Sequence, residues 1–193
     1  MAKPADSKDK TLTAAARLFT QRGYHGTALQ DILEAGGAPR GSLYFHFPKG
    51  KEEIGAAAVW LATKTVAEFI AHAAATSKNL QAFLLQLARG MATNLERSGY
   101  REGCPVATTA LETAGHSEVL GLAARNAFQT WEQEITRGLV RFGISAGDAD
   151  RTATAILSQL EGSLLLARTY RSLEPMRRAE KAVLLLAERK ILK

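Results

Sequence analysis

Residues 27–51 constrain this 193-residue chain more than any other stretch, because they fit two short helices at a sharp angle and little else. Thr27 has the side chain of a helix N-cap, and Gln30 three positions on completes a capping-box pattern. Ala28, Leu29, Ile32 and Leu33 follow at helical spacing, which predicts a short helix with one apolar face. Gly36 and Gly37 can take positive φ and turn the chain, and Pro39 suits the first position of a new helix. That second helix, roughly 39–46, directs Leu43 and Phe47 inward and leaves Arg40, Ser42, Tyr44 and His46 facing out. The pattern is that of a helix-turn-helix, whose second helix enters the DNA major groove. The same spacing also fits an ordinary helical hairpin in which Tyr44 to Phe47 form a core edge.

The charge distribution bears on that choice. The formal charge is +6, yet residues 1–51 hold eight basic and four acidic side chains while the other 142 hold 17 and 15. Positive charge is concentrated around the expected reader helix, where phosphate contact would need it. A merely basic surface would give the same totals. The single cysteine, Cys104, cannot form a disulfide within the chain, which fits a reducing compartment. Met1 to Lys10 is polar and charged rather than a signal peptide, and uninterrupted apolar runs such as Ile54–Ala62 are too short to span a bilayer. The expectation is a soluble, cytoplasmic protein without a membrane segment.

Helical periodicity runs through the rest. Leu12, Ala15, Ala16 and Phe19 form the stripe of a first helix that starts near Asp6 and stops at Gly23. A long helix over about 51–75 carries Ile54, Ala58, Leu61, Val66, Phe69 and Ile70. Further helices are expected over 78–97, from Pro105 to about Ala114, over 117–142, from a Ser145/Asp148 capping box to Tyr170, and from Pro175 onward. The total is about nine helices and no strand, an all-α chain with a helix-turn-helix domain at 1–50 and a helical bundle at 51–193. In the penultimate helix, Thr152, Ala155, Ile156, Gln159, Leu160, Gly162, Ser163, Leu166, Ala167 and Tyr170 mix small and apolar residues. Ala182 to Leu186 is apolar on more than one face, so a second copy packing there as a four-helix bundle is one reading and core packing within one chain the other.

Several words of the sequence resemble a known family. Ala14-Ala15-Ala16-Arg17-Leu18-Phe19, Gly23-Tyr24-His25-Gly26-Thr27 and Gly41-Ser42-Leu43-Tyr44-Phe45-His46-Phe47-Pro48 resemble the N-terminal domain of TetR-family bacterial transcriptional regulators. Gly37-Ala38-Pro39-Arg40-Gly41-Ser42 and Phe47-Pro48-Lys49-Gly50-Lys51-Glu52, with one extra residue between the Pro and the Lys that open the fourth helix, are similar to its LmrA/YxaF-like subgroup. So is Gly103-Cys104-Pro105-Val106-Ala107. The resemblance implies a homodimer formed by the last two long helices on a double-stranded, pseudo-palindromic operator. It implies DNA contacts at Thr27, Arg40, Ser42, Tyr44, His46 and Lys51, and a repressor released by a small hydrophobic or amphipathic molecule. It also suggests a drug-exporter or detoxification gene nearby. Pro39 replaces the Ser of most of the wider family, removing a hydroxyl that could touch phosphate.

The chemistry of these residues suits such roles. Arg40 can read guanine O6 and N7 in a bidentate way. Ser42, Tyr44 and His46 can reach phosphates or base edges, while Thr27 and Lys51 stand at helix starts where backbone N–H groups also attract phosphate. Catalytic machinery is not recognisable. The histidines at 25, 46, 72 and 116 have no metal-ligand spacing, and nucleophile-elbow, phosphate-loop and dinucleotide motifs are missing, so neither metal nor cofactor is expected. Cys104 before Pro105 could be a reactive thiol, with His116 or Glu112 as partner, or a small packing residue. For a ligand pocket the candidates are Trp60, Phe83, Leu87, Met91, Phe128, Trp131 and Leu164 as apolar lining. Glu112, His116, Gln159 and Arg168 are the candidate polar groups.

Overall fold

The computed structural model describes the backbone of residues 4–37 and 45–188 and the side chains of residues 8–37 and 45–187. Eight helices lie among the described residues: α1 (Pro4–Arg22), α2 (Leu29–Gly36), α3 (Lys51–Thr76), α4 (Leu80–Arg97), α5 (Pro105–Thr113), α6 (Glu118–Arg141), α7 (Ala146–Tyr170) and α8 (Glu174–Glu188). The described residues contain no strand. The ninth expected helix, at 39–46, falls mostly outside them; Phe45 and His46, its described end, are helical.

Short polar side chains start the helices where the sequence places them. The Asn79 side-chain oxygen accepts from the Ala82 N–H at 2.8 Å, and Ser117 Oγ from the Leu120 N–H at 3.1 Å. Ser145 Oγ accepts from the Asp148 N–H at 3.4 Å and donates to the Asp148 carboxylate at 2.6 Å. Each satisfies an N–H that the first helical turn leaves without a partner.

The chain divides into two compact units, one of residues 1–64 and 104–127, the other of residues 65–103 and 128–193. Both boundaries between them inside long helices, at 64/65 and 127/128, leave α3 and α6 continuous. The first unit closes over Ala15, Leu18, Phe19, Ile32, Leu33, Phe47, Ile54 and Ala58, all buried. α1 packs on α2 and on α5. In the second unit α4 packs on α7 and α8, which pack on each other. Its core is built from Phe83, Leu84, Leu87, Trp131, Ile135, Leu139, Ile156, Leu160, Leu164, Met176 and Val183, all buried.

The apolar content of α3 exceeds what its uninterrupted runs suggest. That helix is long and apolar enough to cross a membrane by length and composition, once the stretch is carried across Lys64 and Glu68 that interrupt the apolar runs. Ile54, Ala58 and Val59 are nevertheless buried in the first unit and Ile70, Ala73 and Ala74 are buried too, as in a helix that builds protein cores.

Candidate nucleic-acid interface

The reader region starts from the end of α1. Gly23 stops that helix with φ +81°, its N–H bonded to the Phe19 carbonyl at 2.9 Å. The turn that follows holds Thr27 completely buried, its hydroxyl donating to the Gly23 carbonyl at 2.8 Å. Thr27 is therefore neither the N-cap nor a side chain presented to phosphate: its hydroxyl closes the α1–α2 turn. The cap falls one residue later on Ala28, whose N–H donates to the Asp31 carboxylate at 3.0 Å. Gln30, expected to complete the box, instead donates to Glu34 at 2.8 Å. Ile32 and Leu33 of α2 are buried as expected, while Ala28 is exposed.

α2 ends at Gly37, in the left-handed region at φ +62°. Gly36 is needed for a different reason: a Cβ there would stand 3.1 Å from Thr11 Cα, so α1 and α2 meet backbone to backbone. Arg40, Ser42 and Tyr44 lie outside the described residues. His46 is half-buried, its ring edge-on to Phe45 with centroids 5.1 Å apart, and Phe47 is buried in the core beneath. Phe45 is 80% exposed, an apolar ring beside the expected base readers that the sequence reading left unassigned. Its place next to His46 in the Tyr-Phe-His-Phe run was the available signal.

Lys51 opens α3. Its ammonium sits 4.5 Å from the centroid of the Tyr24 ring, close enough for a cation–π attraction. Burial pushes the Lys51 pKa down, and the nearby Glu112 carboxylate works against that shift. Burial, then Glu52, raises the Tyr24 pKa. The α3 start is braced further by Lys49 N–H donating to Glu53 at 3.0 Å and Ser117 Oγ donating to Glu52 at 2.6 Å.

Two family models match this chain. One, "Bacterial regulatory proteins, tetR family", spans residues 12–58 and so covers the reader region; the other, "Transcriptional regulator LmrA/YxaF-like, C-terminal domain", spans 77–182. The chain belongs to the TetR family. It is 36% identical to the HTH-type transcriptional regulator LmrA of Bacillus subtilis, over 89% of this chain and 91% of that one. It is 34% identical to YxaF of the same organism, over 91% and 92%. A TetR transcriptional regulator from Chloroflexus aurantiacus shares the fold with a TM-score of 0.81 at 27% identity, covering 98% of both chains. The chain is thus a TetR-family transcriptional regulator with a DNA-binding helix-turn-helix.

In this TetR-family chain the ten candidate ligand residues divide between the two units. Trp60, 65% exposed, and Glu112 belong to the first unit, and the other eight to the second. The Glu112 carboxylate is occupied there, accepting from the His25 backbone N–H at 2.7 Å. Exposed His116 is also in the first unit. Phe83, Leu87, Trp131 and Leu164 are buried core residues, with Phe128 edge-on to Trp131 at 5.6 Å. Met91 is half-buried; Gln159 donates to Ser163 at 2.9 Å, and Arg168 packs on Gly103. An open groove of about 420 Å³ is lined instead by Phe69, Ala82, Leu85, Gln86, Arg89, Gly90 and Thr93. Sequence periodicity marks apolar faces alike whether they are filled or hollow, so it could not find that groove.

The expected pairing face also needs correcting. Ile156, Leu160, Ser163 and Ala167 are buried within the chain's own second unit. The surface stripe of α7 is Ser158, Gly162, Leu165, Leu166, Thr169 and Tyr170. Ten residues over less than six turns necessarily wrap beyond one face. Cys104 is buried as the N-cap of α5, its Sγ accepting from the Ala107 N–H at 3.3 Å. The described residues hold no cluster of three or more His, Cys, Asp or Glu fit for a metal ion.

Proposed function

We propose that this protein is a cytoplasmic, homodimeric repressor that binds a pseudo-palindromic operator and is released by a small hydrophobic or amphipathic molecule. The observation that carries the reading is one chain holding a TetR-type reader match followed by an LmrA/YxaF-like C-terminal match. It acts by binding rather than catalysis, in keeping with relatives named as transcriptional regulators. Each protomer places its reader helix in one of two successive major grooves about 34–36 Å apart. Arg40 reads guanine, Ser42, Tyr44 and His46 touch phosphates or base edges, and Lys51 holds phosphate at the start of α3. Thr27 contributes through the turn it closes. Phe45, 80% exposed, covers a thymine methyl group.

Residues 1–50 act as the reader and 51–193 as the sensor and dimer domain. α3, one uninterrupted helix with residues in both compact units, supports the coupling of the two. A ligand preferring the DNA-incompetent state by about 10⁴-fold would empty the operator almost completely, and operator DNA would weaken that ligand by the same factor. Fluorescence anisotropy on the DNA upstream of the gene, at about 150 mM salt with competitor DNA, tests the reading. Operator binding more than about 10³-fold tighter than to random DNA is expected; equal binding to every sequence would reject it. The same assay then screens for the releasing molecule. Lys51→Ala should weaken binding to all sequences and lower the salt slope by about 1 per protomer.

The dimer reading rests on the exposed stripe of α7. A side chain at Gly162 would meet nothing within 4 Å in the folded chain. Gly162→Gln should therefore leave the protomer folded, with helix propensity improved by up to about 1 kcal/mol. It should still block close approach of a second copy. Sedimentation velocity should show monomer, and a variant that stays dimeric would move the interface elsewhere.

A further inference from the structure

α5, which packs on α1, also reaches the turn after it through a carboxylate. Glu112 Oε2 accepts the His25 backbone N–H at 2.7 Å, a contact that joins residues 87 apart in sequence. The same carboxylate lies directly against Gly23, where a Cβ would collide with it. Next to His25 in the same turn, the Tyr24 ring seats the Lys51 ammonium, 4.5 Å from its centre. Tyr24 is itself seated against α3: a Cβ on Gly55 would be 2.9 Å from its ring. A backbone N–H in a turn and an ammonium at a helix start are both groups that hold phosphate.

We propose that Glu112 is a built-in competitor of the operator phosphate: its carboxylate occupies the His25 N–H and its charge attracts Lys51 on the neighbouring Tyr24 ring, and so sets how tightly the reader holds DNA. The inference rests on the operator-binding reading and adds a residue that tunes it. DNA must draw Lys51 away from a carboxylate that stays behind, so part of the phosphate attraction is offset. At the first turn of α3 burial disfavours the Lys51 charge and the Glu112 charge favours it. α5 begins at Pro105, two residues after Gly103, whose Cα faces the Arg168 side chain of α7.

The test is a four-protein cycle of wild type, Glu112→Gln, Lys51→Ala and the double variant, titrated against operator and random duplexes from low to high salt. Glutamine keeps an oxygen for the His25 N–H while removing the charge, and thermal melts check that the fold is kept. The expected result is several-fold tighter binding by Glu112→Gln on both duplexes at low salt. That gain should fade as salt screens the charges and disappear in the Lys51→Ala background. Two results would overturn the proposal: Glu112→Gln binding like wild type, or a gain that persists without Lys51. Wild type failing to prefer the operator would instead remove the operator reading and the proposal with it, which the wild-type titration reports separately.

Discussion

Replacing Trp131 by alanine is expected to cost about 3–5 kcal/mol of folding free energy, the largest loss from any single side chain in the second unit. Trp131 is only 2% exposed, the bulkiest of the fully buried side chains. It stands on α6 four residues before Ile135, with the Phe128 ring edge-on at 5.6 Å. Truncation removes the transfer free energy of the indole and leaves a void that rigid helices close only in part. For a domain whose whole stability is about 5–15 kcal/mol, that is from about a fifth to all of it. Urea unfolding should show a lower midpoint with an unchanged slope. Trp60→Ala is the control: at 65% exposure its ring has little burial to lose, and a change within about 0.5 kcal/mol is expected. A loss below about 1 kcal/mol at Trp131 would mean the ring borders open space, restoring it as a pocket wall.

Arg40→Ala should have the largest effect on function, about 1–3 kcal/mol per half-site and so about 2–6 for a dimer engaging both. A guanidinium makes two parallel hydrogen bonds to guanine, and no other base offers both acceptors in the major groove. Phosphate contacts made by other residues survive the substitution, so non-specific affinity should fall far less than operator affinity. Anisotropy titrations on operator and random DNA at one salt concentration separate the two. Equal losses on both would make Arg40 a phosphate contact and shift the reader helix in register. Lys51→Ala provides the opposite signature, a uniform loss with a shallower salt dependence.

The contrast between legible and illegible features follows the range of the forces involved. Helix starts at Ser117 and Ser145 were readable because a capping side chain bonds an N–H three residues away. Thr27 carried the same local signature and was misread, because the Gly23 carbonyl in the buried turn took its hydroxyl before the helix could. The α7 face was misassigned for a related reason. Small and apolar residues mark packing, but whether Leu160 or Leu165 faces the chain's own core depends on where α4 and α8 lie.

The sequence by itself determined the all-helical class, the helix-turn-helix word at 27–51 and the family, since all of these depend on periodicity, caps and short motifs. Tertiary structure alone decided that Glu112 serves the His25 turn, that Trp131 fills a core and that Trp60 is exposed. Such outcomes join residues tens of positions apart, and hydrophobic burial, being non-directional, leaves no mark in the local pattern of which partner it will find.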